Sequence, residues 1–193
     1  MSSALLILDM INALVHPDGK KGREGFAAQV TKRNVLPNTA TAIERARGAG
    51  IPVIYVVIGF SPGFADFPPR SPLFNDAVED RPKVDSWETR VHEDLRPAPE
   101  ESIVVKRRVS PFFATHLDLL LRKQNIDTLL LAGVSTDLVV LSAARDAHDR
   151  DYRVEILEDA TAARTKRAHD AAMTLIGSTA LVTTVDKALP ERV

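Results

Sequence analysis

Three groups of residues carry side chains or backbone suited to acid–base and oxyanion chemistry. Asp9 closes the apolar run "ALLILD" (4–9), and Lys106 lies near the end of "SIVVKR" (102–107). The stretch Gly133-Val134-Ser135-Thr136 joins the apolar run "TLLLAGV" (128–134) to a helical pattern. A carboxylate can carry a proton to or from a reacting group. A lysine ammonium can stabilise negative charge that develops nearby. Backbone N–H groups at a helix start can hold an oxyanion. What is missing is a nucleophile: the helix after the junction offers Leu138, Val139 and Val140, and the chain contains no cysteine. Plainer roles exist for each polar residue. Asp9 and Asp159 suit the capping of turns, and Lys106 beside Arg107 and Arg108 suits a solvated edge. Thr136 as N-cap and Asp137 in the first turn would stabilise the helix and do nothing else.

The elements that must position these groups follow from hydrophobic patterning. Six short runs, at 4–9, 51–59, 102–107, 128–134, 152–159 and 180–186, are apolar without alternation. Strands buried on both faces of a parallel sheet require that pattern. Helical patterns fall at 27–49, 113–124, 136–149 and 165–177, with Phe113, Leu117, Leu120 and Leu121 at helical spacing in the second. Gly48 and Gly50 mark the end of the first, with Pro52 beyond the stop. The rhythm predicts an α/β fold, a three-layer α/β/α arrangement around a six-stranded, mostly parallel sheet. Ligands of such sheets bind outside the carboxyl ends of the strands. That edge would gather Asp9, Lys106, the 133–136 junction, Glu158-Asp159 and Thr183-Thr184 with Asp186.

The segment 59–101 breaks the rhythm. It holds seven of the twelve prolines, and only "WETRVHEDL" within it could form a short helix. Phe60, Phe64, Phe67, Phe74 and Trp87 need a surface to cover, so the segment is expected to close over a pocket or reach a partner subunit. The whole chain, 1–193, is expected to be one domain, with 59–101 as a long Pro-rich covering loop.

Composition narrows the chemistry. A net charge of −1 and few aromatics give no electrostatic case for nucleic acid or an anionic membrane. The start "MSSALLILDM" lacks a basic region and carries an Asp, so neither a signal peptide nor a spanning helix is expected, and the cytoplasm is the expected location. Without cysteine there are no disulfides, zinc–thiolate sites or thiol nucleophiles. Five histidines show no two-ligand spacing on one helix, and no phosphate-cradling glycine loop occurs. Neither a metal nor a nucleotide cofactor is expected.

Four segments in order, "LLILDMINALVHPDG", "VIGFSPGFADFPPRSPLF", "VVKRRVSPFFATHLDLLLR" and "LLLAGVSTDLVVLSAARDAHDRDYRVEILEDATAA", resemble the isochorismatase-like superfamily of cysteine hydrolases over nearly the whole length. The resemblance implies a parallel sheet flanked by helices, a homodimer or homotetramer, and hydrolysis of a C–N bond or a vinyl ether in a small-molecule substrate. It also implies that Asp9 is the acid/base and Lys106 the catalytic lysine. The Val134–Ser135 bond would match an unusual non-proline cis peptide, and Val134, Ser135 and Val139 would form the oxyanion elbow. The family's nucleophilic cysteine falls on Val139, and Ile11 stands where the family usually has Gln. Candidate substrate contacts are Ile11, Phe60, Arg70, Trp87, Arg108 and Phe112, with Arg107 a further anchor for a carboxylate.

Three readings remain open on sequence grounds. The first is a hydrolase in which water attacks directly while Asp9 handles protons, as in vinyl-ether-cleaving relatives. The second is a degenerate member that binds a small molecule or serves as an oligomeric partner. The third is an amidase with a substitute nucleophile such as Ser142, one helical turn beyond Val139.

Overall fold

In the computed structural model, which describes residues 2–75 and 77–191, six strands form one sheet in the order β3-β2-β1-β4-β5-β6. The strands are β1 (Ser3–Leu8), β2 (Val53–Ile58), β3 (Ser102–Lys106), β4 (Thr128–Val134), β5 (Arg153–Ala162) and β6 (Leu181–Thr183). Every neighbouring pair is parallel. The reason β1 reads as continuous apolar sequence is visible in its packing. Ala4, Leu6 and Leu8 enter one core cluster, and Leu5 and Ile7 enter the other on the opposite face.

Helices cover both faces. On one side lie α2 (Ala27–Lys32), α3 (Val35–Gly48) and α7 (Val185–Ala188), bringing Val30, Ala42, Ile43 and Val185 to the sheet. The other side carries α4 (Leu117–Lys123), α5 (Leu141–His148) and α6 (Lys166–Ile176), bringing Leu117, Leu121, Ala143, Ala147 and Ile176. A short α1 (Asn12–Val15) follows β1 directly. This is the three-layer α/β/α arrangement expected from the sequence.

Several boundaries differ from the patterning, each for a local reason. The helix expected over 27–49 is broken at Asn34, whose φ of 53° is left-handed. That turn lets Arg33 and Asn38 reach main-chain oxygens of β5, at Thr161 (3.0 Å) and Asp159 (2.7 Å). The helix expected from 113 begins only at Leu117, because Ala114 is left-handed (φ 52°) and Phe113 points out of the core, 59% exposed. β5 runs past 159 to Ala162, and β6 is shorter than 180–186, giving way to α7. β6 is also an edge strand with Leu181 and Val182 exposed, so it is not buried on both faces.

The segment 59–101 holds 3₁₀ turns at Val78–Asp80, Trp87–Thr89 and Glu93–Leu95. "WETRVHEDL" is therefore two separate turns rather than one helix. An isolated antiparallel bridge from Val91 to Ile11 pins the segment beside the end of β1. Phe60 is fully buried and meets Phe67 and Phe74 edge-on at 4.9 and 5.7 Å. Arg81 lies 3.9 Å over the Phe67 ring. The aromatics thus cover one another, and this knot holds the segment over the sheet.

Candidate active site

β1 and β3 end at the same edge of the sheet with β2 between them, and this brings Asp9 and Lys106 together. Leu8 closes β1, and Asp9 then takes a left-handed φ of 51° while its N–H still donates to Val56 O at 2.8 Å. Its carboxylate accepts from the Ile58 N–H at 2.9 Å and from Lys106 Nζ at 2.8 Å. Lys106 Nζ also donates to Arg108 O at 3.1 Å. Both side chains are almost wholly buried, at 6% and 2% exposure. Removal from water pushes the Asp9 carboxyl above its usual value. The Lys106 charge, their hydrogen bond and the Ile58 amide pull it back only in part. The outcome is a buried carboxylate with an enhanced affinity for a proton.

The junction after β4 is held close to this pair. Gly133 has φ 156°, and a Cβ there would sit 2.3 Å from Leu8 O and 2.6 Å from Leu8 Cβ. Only glycine lets β4 pass β1 at that distance. The Val134–Ser135 peptide is cis. Ser135 then leads into a π-helical turn, Thr136–Val140, ahead of α5. Ser135 O accepts from the Leu138 and Val140 N–H groups at 3.3 and 3.2 Å.

Thr136 does not cap this helix. The N-cap position is Ser135, which makes no side-chain cap bond. The fully buried Thr136 hydroxyl instead shares a hydrogen bond with His169 Nδ1 at 2.9 Å. His169 Nε2 meets Glu158 Oε1 at 2.9 Å, and Arg33 Nη2 donates to the same oxygen at 2.5 Å. Burial holds the His169 imidazole below its ordinary value, against the pull of Glu158. The ring is thereby favoured as neutral, able to bond on both nitrogens. This chain ties the elbow to α6, β5 and the α2–α3 break. His169 carried no assignable role in the sequence, since its partners lie 33 and 11 residues away.

These elements enclose a cavity of about 370 Å³. Asp9, Lys106, Ile11, Val134, Ser135 and Val139 all line it. The segment 59–101 contributes Leu73, Phe74, Asp80, Pro82 and Glu88 to its wall. Lys20 from the N-terminal side meets Asp80 of that segment at 2.7 Å. Among the described residues, no group of three or more His, Cys, Asp or Glu could hold a metal ion.

Other candidate contacts lie elsewhere. Phe60 is absent from the cavity wall because it is consumed by the aromatic knot. Arg70 is exposed outside the cavity. Trp87 packs edge-on against His16 at 5.1 Å, and its carbonyl accepts from Asn12 at 3.0 Å. Phe112 stacks on Tyr152 at 6.1 Å inside the core below the sheet. Arg108 donates to Asp66 O and Arg107 O, and Arg107 pairs with Asp66 at 2.5 Å, so both arginines brace the loop. Ser142 borders a separate open groove along α5 and is not in the cavity wall. In the other direction, Asp137 lines the cavity, a role that its first-turn position had concealed.

Comparison with known proteins finds relatives of this fold. The isochorismatase domain family matches residues 3–187. An isochorismatase-like hydrolase from Alkaliphilus metalliredigens superposes with a TM-score of 0.81 at 27% identity, covering 98% of each chain. N-carbamoylsarcosine amidase from Thermoplasma acidophilum is 30% identical with a TM-score of 0.77, covering 96% of this chain and 98% of its own. Pyrazinamidase/nicotinamidase from Streptococcus mutans is 25% identical with a TM-score of 0.77, covering 94% and 100%. With the family matched over nearly its full length, the chain belongs to the isochorismatase family of hydrolases.

Proposed function

We propose that this protein hydrolyses a C–N bond in a small molecule, with water as the direct nucleophile and Asp9 as the proton carrier. The observation that carries the proposal is the buried Asp9–Lys106 pair, 2.8 Å apart in the wall of the cavity. In this reading Lys106 keeps Asp9 ionised at rest, and the raised proton affinity of the carboxyl makes it a strong base. Asp9 takes a proton from water as the water oxygen adds to the substrate carbonyl carbon. The carbonyl electron pair moves to oxygen, facing the backbone amides of the elbow. Collapse of that adduct expels nitrogen, which receives the proton from Asp9. The products are an acid and an amine, and Asp9 returns to its ionised state.

C–N chemistry is preferred to vinyl-ether cleavage because two similar solved proteins bear the names of amidases. Val139 takes the place of the nucleophile in this reading. It lines the cavity, is 2% exposed, and has no lone pair with which to attack. The chain's lack of cysteine also favours a second reading, a member that binds its ligand and releases it unchanged. The two are separated by assaying the purified protein against small amides, ureas and vinyl ethers. Amine release that Asp9→Asn abolishes supports hydrolysis. Ligand binding without turnover across the panel leaves the second reading.

A further inference from the structure

The wall of the cavity divides by burial. Its buried residues are Asp9, Ile11, Lys106, Val134, Ser135 and Val139. Asp9 and Lys106 bond to one another, and Ser135 contributes a neutral hydroxyl. The remaining three are aliphatic and come from separate elements. Ile11 is pinned by its bridge to Val91, Val134 ends β4, and Val139 lies in the turn ahead of α5. Half-buried Ile58, Phe74 and Val109 extend the apolar wall.

The other charges of the wall are placed differently. Lys20, Asp80, Lys21, Glu24 and Arg164 each keep about a third or more of the side chain open to water, and Glu88 is exposed. Asp137 is half-buried and also borders the groove along α5. Charges in contact with water stay hydrated, and their pairings contribute little. What a ligand exchanges for its own hydration is therefore decided by the buried wall. Aliphatic side chains offer no hydrogen bond in return, so a polar atom placed against them loses free energy and a methylene gains it.

We propose that the cavity selects small amides whose body is a hydrocarbon, alkyl or aryl, over amides of the same shape that carry further polar atoms. This rests on reading the cavity as the substrate site and narrows the substrate class of that reading. Asp9, Lys106 and Ser135 are the buried polar residues left to meet the amide itself, and Ile11, Val134 and Val139 meet the rest. A mostly apolar wall with a few polar groups that fix orientation is the usual make-up of a small-molecule site.

Benzamide, pyridine-3-carboxamide and pyrazine-2-carboxamide share one shape and differ in ring nitrogens. Acetamide, butanamide and hexanamide differ only in methylenes. Dissociation constants for the full chain are measured by NMR titration, without reference to turnover. From acetamide to hexanamide, each added methylene is expected to tighten binding about fourfold. Benzamide is expected to bind about tenfold more tightly than pyrazine-2-carboxamide, with the pyridine between them. Val139→Thr keeps the shape of the wall and adds a hydroxyl, and Ile11→Gln adds a side-chain amide. Either change is expected to shrink the preference for benzamide to about threefold or less. Pyrazine-2-carboxamide binding as tightly as benzamide in the wild type would overturn the proposal. So would no gain along the alkyl series, failure of all these amides to bind, or an unchanged preference in folded forms of both variants. If the ranking holds but no amide is turned over, the ligand class stands and the hydrolase reading fails. Turnover without the ranking leaves hydrolysis standing and removes the hydrocarbon preference.

Discussion

Lys106 reaches across β2 to place its Nζ 2.8 Å from Asp9 Oδ2, and neither side chain has appreciable contact with water. Two opposite charges taken from water together tolerate burial only as a pair. Lys106→Met is therefore expected to cost about 3–5 kcal/mol, because it leaves a buried carboxylate alone. The double variant Asp9→Asn with Lys106→Met should lose less than the sum of the single changes. Denaturant titration of the four proteins measures the coupling, and additive losses would show that the pair does not act as a unit.

The pH dependence of turnover follows from the direction of the Asp9 shift. Asp9 must be ionised to act as a base, and its proton affinity is raised above the ordinary 3.8. kcat/KM should rise with pH along a limb that lies above that value. Lys106→Ala removes the nearest positive charge, so in whatever activity remains the limb should move to higher pH. A limb that moves to lower pH would contradict the assigned roles.

The His169 chain makes a separate prediction about stability. Burial lowers the folded-state value of His169, as it does for His92. A depressed value gives stability that is fully present above the ordinary 6.5 and is lost as pH falls through the folded value. The melting temperature should drop as pH falls from neutral, and His169→Gln should flatten part of that drop. The same substitution should cost about 1–3 kcal/mol at neutral pH, since Thr136 and Glu158 lose a shared partner. Thermal melts across pH on both proteins check this.

Gly133→Ala is expected to lose about 2–4 kcal/mol, from overpacking against Leu8 together with backbone strain. The added Cβ would meet backbone rather than a movable side chain, 2.3 Å from Leu8 O. A melting temperature unchanged from wild type would show that β4 can shift away from β1.

The parts of this site that were legible in the sequence were those fixed by strand ends. Leu5 to Leu8 are apolar on both faces, which marks a central strand and puts Asp9 at its carboxyl edge. Lys106 and the Gly133 junction follow from the same rule applied to β3 and β4. Side-chain partnerships were not legible, because pairing partners come from distant segments. Phe60 looks like a ligand platform until Phe67 and Phe74 are seen to enclose it. Arg108 looks like an anion anchor until its donors are counted against Asp66 O and Arg107 O. Glu158 and Asp159 looked like a strand end, but β5 continues because Arg33, Asn38 and His169 satisfy its polar groups.

Val139→Cys places a thiol in the wall of the cavity that Asp9 and Lys106 also line. If Val139 occupies the nucleophile's position, that variant should be alkylated by iodoacetamide faster than a cysteine placed on the exposed surface. It should also form an acyl adduct visible by intact-protein mass spectrometry on mixing with amide substrates. A thiol no more reactive than the surface control would place the nucleophile's position elsewhere.

The most direct test of the central claim is the turnover of the best small amide by wild-type protein and Asp9→Asn, with protein mass followed in the same reactions. Direct water attack with Asp9 as proton carrier predicts a loss of about 10²–10⁴-fold in kcat for the variant and no adduct on the wild type. An Asp9→Asn protein that keeps its rate, or a wild type that accumulates an acyl adduct, would contradict it.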